Sequence, residues 1–217
     1  MTITELKNAP LNEGVAYLLG LTYPLYTEAR INGKECIVGG VRYNANKVTQ
    51  EELDIHFNKV FKLLNKYFED NMPDLKSNKE LGRPLSQKLG FSIIVDKDDL
   101  TDNQCKAILH DMVLKIATST TAIKSEFVKG CFDGRSSWDK TACYIALDID
   151  RDSTKQKLLE SIIQSLGISV NLNCRGVGHQ KHDQLRIKKD SVKKFMTIIG
   201  LYSECKKKII SAAMCGK

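Results

Sequence analysis

Two apolar helical segments, each carrying an internal glycine, constrain this chain more than any other feature. The glycine is Gly20 in "NEGVAYLLGLTY" and Gly130 in "SEFVKGCFDG". A glycine inside a helix costs about 1 kcal/mol relative to alanine, and small residues let two backbones approach at a helix crossing. Taken singly, each could be an ordinary glycine in an unrelated helix. Two at matching places in a repeated order of elements predict a paired interface.

That order is legible along the chain. After Ser125 a helix runs through Phe132 into a turn. Cys143, Ile145, Leu147 and Ile149 then alternate with Tyr144, Ala146, Asp148 and Asp150, as in a half-buried strand over 142–150. Asp152 or Ser153 caps the next helix, whose apolar face is Leu158, Leu159, Ile162, Ile163 and Leu166, and Gly167 stops it. "SVNLNCR" and "QLRIKK" alternate as strands, and a last helix begins near Asp190 or Ser191. The first half repeats this loosely. Asn12 caps a helix, and strands flank the Asn32-Gly33 turn signal. A long helix turns Leu53, Phe57, Val60, Phe61, Leu64 and Phe68 inward. An irregular stretch around Pro73 and Pro84, the strand "FSIIVDK" and the helix "LTDNQCKAILHDMVLKIA" follow. "TSTTAIK" at 118–124 is the joint.

Composition narrows the classes. The 217 residues are 42% hydrophobic and 27% charged, and no apolar run is long enough to span a bilayer. Seven scattered cysteines form no Cys-x-x-Cys pair, which points to a reducing cytoplasm rather than to zinc or disulfides. The N-terminus shows no secretory signal. A net charge of +7 suits a polyanionic partner.

The outward strand faces agree. Asn171, Asn173 and Arg175 share one face, and Gln184, Arg186 and Lys188 share another on the next strand. In the first half Arg30, Arg42 and Asn44 have comparable outward positions. Arg, Asn and Gln read base edges, and Lys suits phosphate. A solvated sheet face would also be polar. His179 and His182 lie in the intervening loop, read as a DNA-contacting loop before a metal site. "SECKKK" at 203–208 is a solvated helix face or a backbone contact.

With this order in place, "YLLGLTY" and "FVKGCFDG" resemble the signature helices of the LAGLIDADG homing-endonuclease family, the second half more closely. The resemblance implies an α+β fold of two pseudo-symmetric α-β-β-α-β-β-α halves, 1–120 and 121–217. Together they would form a saddle over double-stranded DNA as a monomer. It implies Mg²⁺ held by a carboxylate at the end of each signature helix. In register with the glycines, those positions are Leu25 and Arg135, and neither binds Mg²⁺. Nearby acids remain: Asp133, at the family's other acidic position, Asp139 and Glu28. These are the expected metal-binding and catalytic residues, with Arg135 on phosphate or paired with a carboxylate.

Other templates fare worse. There is no Gly-rich phosphate loop and no His-Glu-x-x-His, and a triple such as Asp133, Asp148 and Lys155 arises in any Asp-rich strand. The leading expectation is therefore a site-specific, Mg²⁺-dependent DNA endonuclease of homing or restriction type. The alternative is a DNA- or RNA-binding regulator or maturase on the same fold that has lost cleavage. A basic protein-interaction module is the third class.

Overall fold

The computed structural model describes residues 1–43, 48–78, 80–81, 90–139, 143–176 and 182–215. Its elements run α1 (Ile3–Asn8), α2 (Glu13–Thr22), β1 (Thr27–Ile31), β2 (Lys34–Arg42), α3 (Gln50–Phe68), β3 (Asp74–Ser77), β4 (Gly90–Asp96) and α4 (Asp102–Ala117). The second run is α5 (Thr121–Arg135), β5 (Ser136–Asp139), β6 (Tyr144–Ile149), α6 (Ser153–Ser165), β7 (Val170–Asn173), β8 (Asp183–Ile187), α7 (Val192–Ile198) and α8 (Glu204–Cys215). Two antiparallel sheets, β1-β2-β4-β3 and β5-β6-β8-β7, repeat one strand order.

The local causes are those the sequence signals. The Asn12 side chain accepts from Val15 N at 2.9 Å and starts α2. Thr49 and Thr101 open α3 and α4 with reciprocal capping boxes. Asp152 accepts from the Thr154 and Lys155 amides and starts α6. Gly167, at φ +72°, ends it in the left-handed region that favours glycine. Asn32 and Gly33 both take positive φ, the two-residue turn that matches the twist of a hairpin.

Every residue of α2 from Gly14 to Thr22 is buried, as befits a helix that is apolar all round. It packs against α5 at the two glycines. A Cβ added to Gly20 would lie 2.1 Å from Phe127 O, and one added to Gly130 would lie 2.3 Å from Tyr17 O. Each glycine thus meets the carbonyl three residues before the other, the signature of a local twofold relation. One continuous core joins Val15, Leu18 and Ile93 of the first half to Phe132, Leu147 and Ile163 of the second.

Four details depart from the expected elements. Helix α5 continues to Arg135 and passes directly into β5, where a turn was expected. Strand β3 falls within the stretch read as irregular around Pro73, and helix α1 was not anticipated. Phe61 is 39% exposed, because the buried face of α3 is Leu53, His56, Val60, Leu64 and Phe68, and Phe61 lies beside it. Among the described residues Cys36, Cys105, Cys131, Cys143, Cys174 and Cys205 are free thiols. No described helix is long and apolar enough to cross a membrane.

Candidate nucleic-acid interface

The ends of α2 and α5 are where a metal centre was expected. Leu25, just past α2, is buried and its side chain has no donor atom for a cation. Arg135, the last residue of α5, brings a positive charge. Asp133 lies one turn inside the helix at 0% exposure. Its carboxylate accepts from Tyr17 Oη at 3.1 Å, Tyr202 N at 2.9 Å and Ser203 N at 3.1 Å. Asp133, expected as a metal ligand, here ties the two signature helices to the start of α8 and is sealed from solvent.

Around it sits a buried polar group the sequence reading missed. His56 of α3 contacts the hydroxyls of Tyr17 and Tyr43 and lies 3.8 Å from Asp133 Oδ2. Burial pushes its pKa down to about 4, against the pull of Asp133. Tyr43 also donates to Ser203 Oγ. Lys206 Nζ donates to the main-chain carbonyls of Phe132 at 2.9 Å and Asp133 at 2.6 Å, covering the C-terminal end of α5. Burial lowers its pKa to about 8 although Asp133 opposes the shift. His56 was legible in principle, since it stands at helical spacing with Leu53, Val60 and Leu64. Lys206 and Ser203 carried no such signal.

The other expected acids lie apart. Asp139 ends β5 opposite Tyr144 and raises that phenol's pKa by accepting from it, although burial is the larger cause. Glu28 lies on β1 opposite Ile37, beside Asp102, whose hydrogen bond raises its pKa. It lines a cavity of about 640 Å³ with Tyr26, Lys106 and Asp150. Among the described residues no three His, Cys, Asp or Glu side chains gather to hold a metal ion. Leu25, Arg135 and the satisfied Asp133 do not form the pair of open carboxylates expected for Mg²⁺ at the two helix ends.

The second sheet does assemble a polar face. In register Ala146 faces Arg186 and Asp148 faces Gln184 across β6 and β8. Asn171 faces Arg186 and Asn173 faces Gln184 across β7 and β8. These side chains stand opposite the core-facing Ile145, Leu147, Leu185 and Ile187. Arg186 stacks 4.4 Å over the Tyr144 ring. Its Nε and Nη2 donate to Gln184 Oε1 at 3.3 and 3.2 Å, and Gln184 Nε2 donates to Asp148 Oδ1 at 3.0 Å. Arg175 Nη1 lies 3.9 Å from the same Asp148 oxygen, and Lys188 is exposed just beyond β8. Tyr144 and Asp148 had not been singled out for this face, although their strand parity gives it.

The first sheet is different. Cys36, Val38 and Ile94 form a separate apolar cluster on its outer face, with Ala29, Ile31 and Leu81 packed against it. Arg30 has the parity of Glu28 and Ile37, not of Val38, so it is not on that outer face as expected. It is exposed at the hairpin, with Nε donating to Gly33 O at 3.2 Å. Arg42 has outer parity and lines a cavity of about 220 Å³ with Ser136, Trp138 and Lys206. Asn44 and His179 lie outside the described residues.

No protein-family model matches this chain, and no curated protein matches it. Solved structures do. A structure of mesophilic variants of the homing endonuclease I-DmoI aligns with a TM-score of 0.55 and 15% identity, over 87% of this chain and 96% of that one. I-DmoI in complex with DNA and Mn aligns with a TM-score of 0.53 and 15% identity, over 88% and 98%. Full-length DUF199/WhiA from Thermatoga maritima aligns with a TM-score of 0.56 and 15% identity, over 98% of this chain and 64% of that one. At this identity the likeness is one of architecture: the chain has the LAGLIDADG-like α+β fold, two similar halves joined along a pair of signature helices.

Proposed function

We propose that this chain is a sequence-specific, duplex-DNA-binding protein that grips its target without cutting it. The observation that carries the reading is the second sheet's outer face, where Arg175, Arg186, Asn171 and Asn173 stand together on an antiparallel platform. Such side chains pair with base edges in a major groove, and the net charge of +7 draws a polyanion. The likeness to I-DmoI, whose structures include complexes with its target DNA, supports the same mode of approach. The chain acts as a monomer, its two halves placed on successive parts of the duplex.

What weighs against a Mg²⁺-dependent endonuclease is the chemistry at the helix ends. Metal-assisted phosphodiester hydrolysis needs converging carboxylates to hold the ion and activate water. Leu25 offers no carboxylate, Arg135 repels a cation, and the oxygens of Asp133 are already committed to three donors. The deciding experiment pairs duplex-binding titrations over a range of salt with incubation of the same DNA in Mg²⁺ or Mn²⁺. Salt-sensitive binding with intact DNA is expected. Nicking or cutting, lost in Asp139→Asn or Glu28→Gln, would restore the endonuclease reading.

A further inference from the structure

We infer that Tyr144, Asp148, Gln184 and Arg186 form one preassembled guanine-reading unit, in which Arg186 reads the base and the other three hold it. The inference rests on the DNA-binding reading above. Arg186 is fixed from two sides, by the Tyr144 ring 4.4 Å beneath it and by Gln184 Oε1 on its Nε and Nη2. Gln184 is in turn fixed, because it is buried and its Nε2 donates to Asp148 Oδ1 at 3.0 Å. Tyr144 reaches Arg186 along the diagonal from Ala146, whose small side chain opposite Arg186 leaves room.

Two consequences follow from donor and acceptor counting. Gln184 cannot read adenine while it holds Arg186, since that pairing needs its carbonyl oxygen free to accept from the base, and both Arg186 contacts fall on that oxygen. It is a positioning residue. Arg186 uses the Nε–Nη2 edge internally, which leaves the Nη1–Nη2 edge with two parallel donors. Guanine O6 and N7 match that edge, and so does a phosphate. The Asp148 carboxylate decides between them, because a negative charge within this lattice repels phosphate and tolerates a neutral base edge. An arginine already ordered before binding also has less rotamer freedom to lose.

The test selects bound duplexes from a randomised pool with purified wild type, Arg186→Met and Gln184→Ala, and reads salt dependence on the selected duplex. Wild type should enrich guanine at one position. Arg186→Met, which keeps an unbranched stem but has no donor, should lose that preference about tenfold or more while largely keeping the salt dependence. Gln184→Ala should weaken the preference at the same position. Replacing that guanine with 7-deazaguanine, which lacks only the N7 acceptor, should reproduce the loss with wild-type protein, so the test survives a variant that folds poorly. Guanine preference retained by Arg186→Met, or a Gln184→Ala effect confined to a different position, overturns the inference. So does duplex binding by wild type with no base preference, which leaves DNA binding itself standing. A wild type that binds no duplex at any salt overturns both readings.

Discussion

Lys206 Nζ donates at 2.6 Å to the main-chain carbonyl of Asp133, while the Asp133 carboxylate accepts the amide of Ser203 three residues before that lysine. The end of α5 and the start of α8 are therefore clasped reciprocally. These helix ends, where metal was expected, carry a lysine, an arginine and a sealed carboxylate. Asp133→Asn should break the clasp, since a carboxamide keeps one acceptor oxygen and turns an NH₂ toward donors. A loss of roughly 3 kcal/mol is expected, the scale for charged hydrogen bonds whose partners stay buried. Denaturant titration measures it. Duplex affinity of the folded fraction should change little, and a stability equal to wild type would refute the clasp.

The glycine crossing predicts a steric penalty. At Gly130 even alanine would place its Cβ 2.3 Å from Tyr17 O, a backbone atom that cannot swing aside. Gly130→Ala and Gly20→Ala should each destabilise by about 1–3 kcal/mol or more, despite the better helix propensity of alanine. Thermal melts check this, and a raised melting temperature in either variant would remove the paired-helix interface.

Acid should find His56. Burial lowers its pKa in the folded chain to about 4, below the ordinary 6.5. The unfolded chain then binds a proton between pH 6.5 and 4 that the folded chain refuses, so stability falls as pH drops through that window. The full shift corresponds to about 3 kcal/mol, on the scale of 1.36 kcal/mol per pKa unit. The neighbours of the imidazole are Tyr17, Tyr43 and Asp133, with Lys59, Lys206 and Glu204 acting through charge. His56→Gln should flatten the pH dependence of denaturant midpoints between pH 6.5 and 4. An unchanged slope would assign the acid sensitivity elsewhere.

Phosphate contacts should show in salt. Lys188 is exposed beside the second sheet's outer face, and Arg175 stands on that face beside Asp148. Each phosphate contact contributes about 0.9 to the slope of log affinity against log salt on B-form DNA. Lys188→Ala should therefore lower the slope by about one while leaving the selected base sequence unchanged. Arg175→Ala should weaken binding as well. If both variants keep wild-type slope and affinity, this surface does not face DNA.

Much of this architecture was written locally. The glycine pair, the caps at Asn12 and Asp152, the Asn32-Gly33 turn and the alternation over Tyr144–Ile149 each reflect a local backbone or periodicity constraint that a chain carries in its own residues. The departures at Leu25 and Arg135 were legible as positions counted from the two glycines once the resemblance set the register. What the sequence could not show is which side chains meet across distance. Asp133 looked like an available acid until the start of α8, some seventy residues later, supplied the Tyr202 and Ser203 amides that bury it. Gln184 looked like a base reader until strand register placed Asp148 on one side of it and Arg186 on the other. The outer face of the first sheet looked polar until parity turned Arg30 away and packed Leu81 against Cys36, Val38 and Ile94. Periodicity fixes which way a residue points within its own element. Only the packing of elements fixes what it points at, and hence whether a polar group is satisfied inside the fold or left to bind something outside it.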